Sequence, residues 1–140
     1  MDKTLLESSL SVVDLPDDGL TIRFYEILFE RYPQVKPMFS RDTEVQASML
    51  RSAVISVIDH LDDADWLSTN LGTLGRRHAE LGVTEPMYGA VAECMIAAMS
   101  EIGGRRWTPE MTEVWTEALT AVASLMLAGY PAAGDTSGAA

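Results

Sequence analysis

Three polar side chains fall where helical spacing calls for apolar ones. His78 follows Leu71 and Leu74 by seven and four residues, which sets its imidazole on the inner stripe of a helix near a glycine-terminated end. A neutral imidazole there either bonds within the core or offers a lone pair to iron or zinc. Gln46 precedes Leu50 by four residues and shares a face with Leu50 and Ala53. Buried without a partner, its amide would cost about 1–3 kcal/mol, so it meets a protein group, a polar ligand, or solvent and backbone at the helix end. Tyr88 lies ten residues beyond His78, across a glycine turn, and its hydroxyl reaches back toward the histidine or out to the surface.

Other reactive side chains read more plainly. Arg76 and Arg77 form a small cationic island that meets ligand carboxylates or makes exposed ion pairs with neighbouring acids. His60, near a helix end and followed by acids, is expected as a surface cation or cap. Cys94, among Val91, Met95 and Ala98, is a small core hydrophobe. No phosphate-binding glycine loop, dinucleotide fingerprint, nucleophile elbow or HExxH motif is present.

The elements that must position these residues are all helical, since Gly and Pro separate segments of helical length and no hairpin signal occurs. Thr4 and Glu7 have capping-box spacing for a first short helix that Pro16 closes. Asp17 and Asp18 suit the first turn of a second, whose stripe runs through Leu20, Phe24, Ile27, Leu28 and Phe29, with Tyr25 beside it. Pro33 to Phe39 predicts a tight helical corner. From about Glu44 to Leu61, Val45, Met49, Ala53 and Val57 together with Leu50, Val54, Ile58 and Leu61 predict a wide buried face. The acids Asp62, Asp63 and Asp65 introduce a helix from about Trp66 to Ala79, ended by Gly82. Thr84 with Pro86, and Thr108 with Pro109, open two last helices ending at Gly103 and Gly129. About seven helices around one core are expected over residues 1–130, with a disordered tail over 131–140.

Composition narrows the function. A chain of 140 residues is the size of one domain and buries roughly 70% of its unfolded surface. One cysteine and two histidines cannot build a disulfide framework or a tetrahedral Cys/His zinc site. A net charge of −11 repels phosphate backbones and anionic lipid heads, so neither nucleic acid nor membrane is an expected partner. No apolar run reaches the roughly 20 residues of a membrane span, and no signal-peptide segment follows Met1, so a cytoplasmic location is expected.

Taken in order, Phe24-Tyr25-x-x-Leu28-Phe29, Tyr32-Pro33, Pro37-Met38-Phe39, Gln46-x-x-x-Leu50, Leu74-Gly75-Arg76-Arg77-His78, Gly82-Val83 and Tyr88 are spaced as in one family. Over about residues 5–130 the chain resembles the globins, and within them single-domain bacterial haemoglobins and the haem domains of flavohaemoglobins. The resemblance implies an all-α globin fold around haem b, iron protoporphyrin IX. His78 would be the metal ligand on the proximal side and Phe39 the ring stacked on the porphyrin. Tyr25 and Gln46 match the distal pair that hydrogen-bonds a gas ligand. Leu50, Leu74, Val83 and Val91 would supply apolar wall, and Arg77 would orient a propionate or the ligand helix. Tyr88 matches a tyrosine that, with a late-helix glutamate, polarises the proximal imidazole. Here the last helix reaches Ala128-Gly129-Tyr130 where that glutamate is expected, so this device is incomplete.

The implied activity is reversible oxygen binding, with nitric oxide dioxygenation as a competence that needs a separate reductase. The expected ligands are diatomic gases: oxygen, nitric oxide and carbon monoxide. Two other readings stay open: a haem-based gas or redox sensor or peroxidase-like scavenger, and a globin-shaped regulator without haem. Oligomeric state is not legible.

Overall fold

The computed structural model describes residues 1–131, and the expected disordered tail lies, apart from Pro131, outside the described residues. Six α-helices are present among them: α1 (Lys3–Val13), α2 (Gly19–Arg31), α3 (Thr43–Asp59), α4 (Ala64–Glu80), α5 (Glu85–Gly103) and α6 (Pro109–Leu127). Single 3-10 turns lie at Pro16–Asp18 and Gly104–Arg106, and a longer one at Pro33–Met38 makes the proline corner, the seventh helical piece expected. No strand occurs among the described residues, and none of their helices is long and apolar enough to cross a membrane.

Local chemistry sets the helix ends. The Asp63 carboxylate accepts from the Trp66 N–H at 3.0 Å and the Thr108 hydroxyl from the Met111 N–H at 3.2 Å, each satisfying a first-turn donor. Two starts differ from expectation. Asp2, not Thr4, caps α1, because its carboxylate accepts from the Leu5 N–H at 2.9 Å. Asp17 and Asp18 do not enter α2: both are left-handed, with φ of 59° and 58°, and α2 begins at Gly19. Aspartate tolerates that conformation better than most residues, and Arg51 holds this turn by donating to Asp14 at 2.8 and 2.9 Å.

The core gathers Leu6, Val13, Phe24, Cys94, Met95 and Met99, all fully buried, with α2 crossing α5 and α5 lying on α6. Cys94 is thus the core hydrophobe expected, and burial pushes its thiol upward. One polar thread runs through this core: the Trp115 indole donates to Ser9 Oγ at 2.7 Å, and Ser9 donates to the Leu5 carbonyl at 2.6 Å. Arg23 with Glu101 and Arg31 with Glu93 tie α2 to α5 at the surface.

The helices α3 and α4 are treated differently. α3 lies on α2, whereas α4 lies chiefly on α6, and the two approach each other little. They meet at their joined ends, where the His60 and Trp66 rings stack at 3.7 Å and 6°. Leu71 of α4 and Met126 of α6 are buried outside the main core cluster. The wide buried face expected of α3 is therefore not all covered, and Val45 and Met49 are each 48% exposed. Periodicity marks a stripe as apolar without saying that protein covers it.

Glycine permits the α4–α6 contact. A Cβ on Gly75 would strike the Met126 carbonyl, and one on Gly129 the Gly72 carbonyl. Because the obstacle in each case is backbone, a side chain cannot simply rotate away. We predict that Gly75→Ala lowers the unfolding free energy by about 1–3 kcal/mol in urea titrations, as overpacking does elsewhere. An unchanged midpoint would mean that the helices separate freely.

Candidate functional site

Tyr25, Phe39 and Gln46 come together where α2, the proline corner and α3 converge. Tyr25 is 5% exposed, and its ring meets Phe24, Phe29 and Phe39 at centroid distances of 4.9, 5.7 and 5.4 Å. Phe39 reaches this cluster because the corner ends in an extended residue whose N–H bonds the Lys36 carbonyl at 3.0 Å. A cavity of about 50 Å³ opens beside the rings, lined by Tyr25, Phe29, Lys36, Phe39, Arg41, Thr43 and Gln46.

The Tyr25 hydroxyl makes no hydrogen bond to the described residues, yet no buried side-chain oxygen or nitrogen among them is orphaned. The hydroxyl therefore keeps access to open space. Burial pushes the Tyr25 pKa up to about 12, since a desolvated phenolate is disfavoured, and the group is a neutral donor at physiological pH. Gln46, half-buried, likewise makes no side-chain bond to the described residues. Thr21, which sequence reasoning missed, fixes the pair: its hydroxyl donates to the Ala47 carbonyl at 2.9 Å, one helical turn before Tyr25 and one residue after Gln46. The signal was available, as a threonine on the apolar face of α2.

A second group forms on α4, α5 and the end of α6. His78 Nδ1 lies 2.9 Å from the Leu74 carbonyl, which can only accept, so this nitrogen carries the proton and Nε2 keeps its lone pair. Nε2 makes no hydrogen bond to the described residues, and the ring is half-buried. The Tyr88 ring lies over His78 at 6.4 Å and 29°, but its hydroxyl turns away, 2.9 Å from that of Tyr130. Tyr130 donates to the Val83 carbonyl at 2.9 Å, which commits its one proton, so Tyr88 must be the donor to Tyr130. Tyr130 thus closes the place where a carboxylate was expected, with a neutral chain ending on backbone. This partnership, 42 residues apart in sequence, was not foreseen.

Remaining candidates fall into three groups. Leu50 and Val91 are half-buried against the core, whereas Leu74 and Val83 are half-buried outside its cluster. Arg76 and Arg77 are exposed, and neither makes an ion pair with the described residues, so the expected exposed pairs do not form. His60 caps α3, one of its two expected roles: Nδ1 bonds the Ser56 carbonyl at 2.7 Å, and Trp66 stacks on its ring. The two groups stand on different elements, Tyr25, Phe39 and Gln46 on α2, the corner and α3, and His78 with Tyr88 on α4 and α5.

Comparison with known proteins agrees. Residues 22–126 match the profile of the family described as Globin. The chain is 27% identical over 123 residues to a globin-like protein of Aquifex aeolicus, covering 88% of this chain and 87% of that one. It is 22% identical over 129 residues to a flavohemoprotein of Pseudomonas putida, covering 89% of this chain and 33% of that protein. The chain thus spans about a third of the length of the flavohemoproteins it matches. An engineered carbene transferase from Rhodothermus marinus superposes with TM-score 0.77 at 27% identity, covering 89% of this chain and 87% of that one. A bacterial globin from Campylobacter jejuni superposes with TM-score 0.77 at 22% identity, covering 91% of this chain and 92% of the other, a likeness of fold.

The neutral Tyr25 phenol has a consequence for stability. Its pKa is raised in the folded chain from 10.0 to about 12, so the stability it contributes is whole below pH 10 and is lost as pH rises toward 12. Across that window, wild-type unfolding midpoints in urea should fall more steeply with pH than those of Tyr25→Phe. Parallel curves would show a phenol that ionises freely in the folded chain.

Proposed function

This chain belongs to the globin family, and on that premise we propose that it binds haem and holds a diatomic gas, oxygen foremost, with nitric oxide dioxygenation as its chemical competence. The observation that supports this most is the His78 tautomer. A proton on Nδ1 leaves Nε2 as a σ-donor in a half-buried, partly apolar setting.

The residues present fit the group. Leu74 and Val83 leave apolar surface outside the core cluster, and α3 stands away from α4. Non-covalent haem b is the form assigned, because covalent attachment uses a Cys-x-x-Cys-His run, whereas the one cysteine, Cys94, is sealed in the core. When bound, haem supplies ferrous iron that takes a diatomic gas and, with oxygen, converts nitric oxide to nitrate.

The chain's own residues shape that chemistry. His78 would hold the metal through Nε2, with its ring fixed by the Leu74 carbonyl. Tyr25 and Gln46 would direct two donors toward the gas ligand, each worth about 0.5–1.5 kcal/mol, and so would retard its release. Phe39 and Leu50 limit the space, and Val91 completes the wall. Tyr88, its proton committed to Tyr130, stacks on the imidazole without delivering negative charge to it. Arg77, exposed beside His78, is assigned to a propionate. The electron each turnover requires is assigned to a separate reductase in the cytoplasm. Relatives named as flavohemoproteins, and the Rhodothermus marinus neighbour, whose description proposes a nitric oxide dioxygenase, support this reading.

Protein supplied with haemin should show an intense Soret band and bind oxygen when reduced. Stopped-flow measurement should find oxygen release faster by about tenfold in Tyr25→Phe or Gln46→Leu, the loss of one hydrogen bond. Absence of a Soret band contradicts the haem assignment, and unchanged release rates remove these two residues from the distal role.

A further inference from the structure

The eight methionines of this chain differ in what surrounds their sulfur. Met95, Met99 and Met126 are buried, whereas Met1 and Met49 are 54% and 48% exposed. Met49 alone among the described residues has a cation on its sulfur: Arg41 Nη1, from the turn before α3, lies 2.8 Å from Sδ in the second turn of that helix. Lys3, Arg23, Arg31 and Arg51 pair with carboxylates, but Arg41 has none within 4.0 Å among the described residues and makes no other side-chain hydrogen bond to them. The match is poor. A thioether is a weak acceptor and a guanidinium presents a fork of strong donors, so most of the donor strength goes unused. One oxygen on the sulfur would change that, because a sulfoxide is polar where a thioether is apolar.

We propose that Met49 is a reversible oxidation site and that Arg41 binds its sulfoxide, fastening the turn at residues 40–42 to α3. The oxidant is hydrogen peroxide. A sulfur lone pair attacks one peroxide oxygen, and the S–O bond forms as the O–O bond breaks. The departing hydroxide takes the proton left on the transferred oxygen and leaves as water. Sulfur loses two electrons and peroxide gains them. The guanidinium, already at the sulfur, is placed to donate to the departing oxygen, where negative charge develops, and then to the oxygen that stays. A dithiol reductase reverses the step, its two thiols becoming a disulfide as the oxygen leaves as water. Exposure alone would make Met1 the equal of Met49; the cation makes them differ. Gln46 lies one turn before Met49 on α3, and Phe39 two residues before Arg41, so this bond ties together the two segments that carry them.

Haem-loaded ferrous carbonmonoxy protein would be treated with limiting hydrogen peroxide, each methionine being followed by peptide mass spectrometry and the Soret band recording haem in the same samples. Met49 is expected to take up oxygen about tenfold faster than Met1, the effect of one charged hydrogen bond, while Met95 and Met99 stay unmodified. Arg41→Gln, at an exposed position, should abolish that lead. Hydrogen–deuterium exchange then reads the fastened turn. Amides over residues 40–45 should exchange about tenfold more slowly once Met49 is oxidised and recover after a dithiol reductase has acted. In Met49→Gln, whose amide oxygen stands in for the sulfoxide, they should be slow without peroxide. Oxidation of Met49 no faster than of Met1, exchange that oxidation leaves unchanged, or slowing that Arg41→Gln retains would overturn the proposal. None of these readings depends on the Soret band, so a failed haem assignment and a failed oxidation site are told apart.

Discussion

One hydrogen bond, from His78 Nδ1 to the Leu74 carbonyl at 2.9 Å, orients the imidazole on which the proposed function rests. It lies within α4, where the carbonyl four residues back is already part of the helix, so little ordering beyond the helix itself is needed. By committing one ring nitrogen it leaves the other without a hydrogen-bond partner among the described residues. A histidine at the same position with Nε2 bonded to protein would be a satisfied core residue and nothing more.

The rest of the structure holds that ring in place. Glycines at 75 and 129 let α4 and the end of α6 approach backbone to backbone, and Tyr130 then bonds the Val83 carbonyl, whose residue in turn donates to the His78 carbonyl at 3.0 Å. Across the divergence from α3, Thr21 performs the matching task by fixing α3 on α2 at Ala47, beside both Tyr25 and Gln46. The two sides join at the His60–Trp66 stack, and α3 and α4 otherwise make little contact. Tyr88 binds this frame without electrostatic drive, since its hydroxyl faces another neutral phenol.

Much of this was legible in the residues. Gly and Pro punctuation located the helices, and of the residues singled out, the structure brings Tyr25, Phe39 and Gln46 together and places His78 beside Tyr88. What escaped was mostly relational. The capping carboxylate of Asp2 and the left-handed Asp17 and Asp18 depend on local competition between turn and helix. Val45 and Met49 share the α3 stripe, yet spacing cannot tell a face covered by protein from one left open. Tyr130 marked only the place where a glutamate was expected, because its two partners come from elements far away in sequence. His60 was legible as a cap, but its stacking on Trp66 was not, because that partner lies beyond a corner. Arg41 and Met49 carry no motif at all; only the turn into α3 brings guanidinium and sulfur together.

The central claim is that His78 Nε2 is the lone pair that holds the metal. Low-frequency resonance Raman spectroscopy of the ferrous haem-loaded protein reads that bond directly. An iron–imidazole stretch that is retained in His60→Ala and absent from His78→Ala is the result this account requires. A stretch that survives in His78→Ala would contradict it.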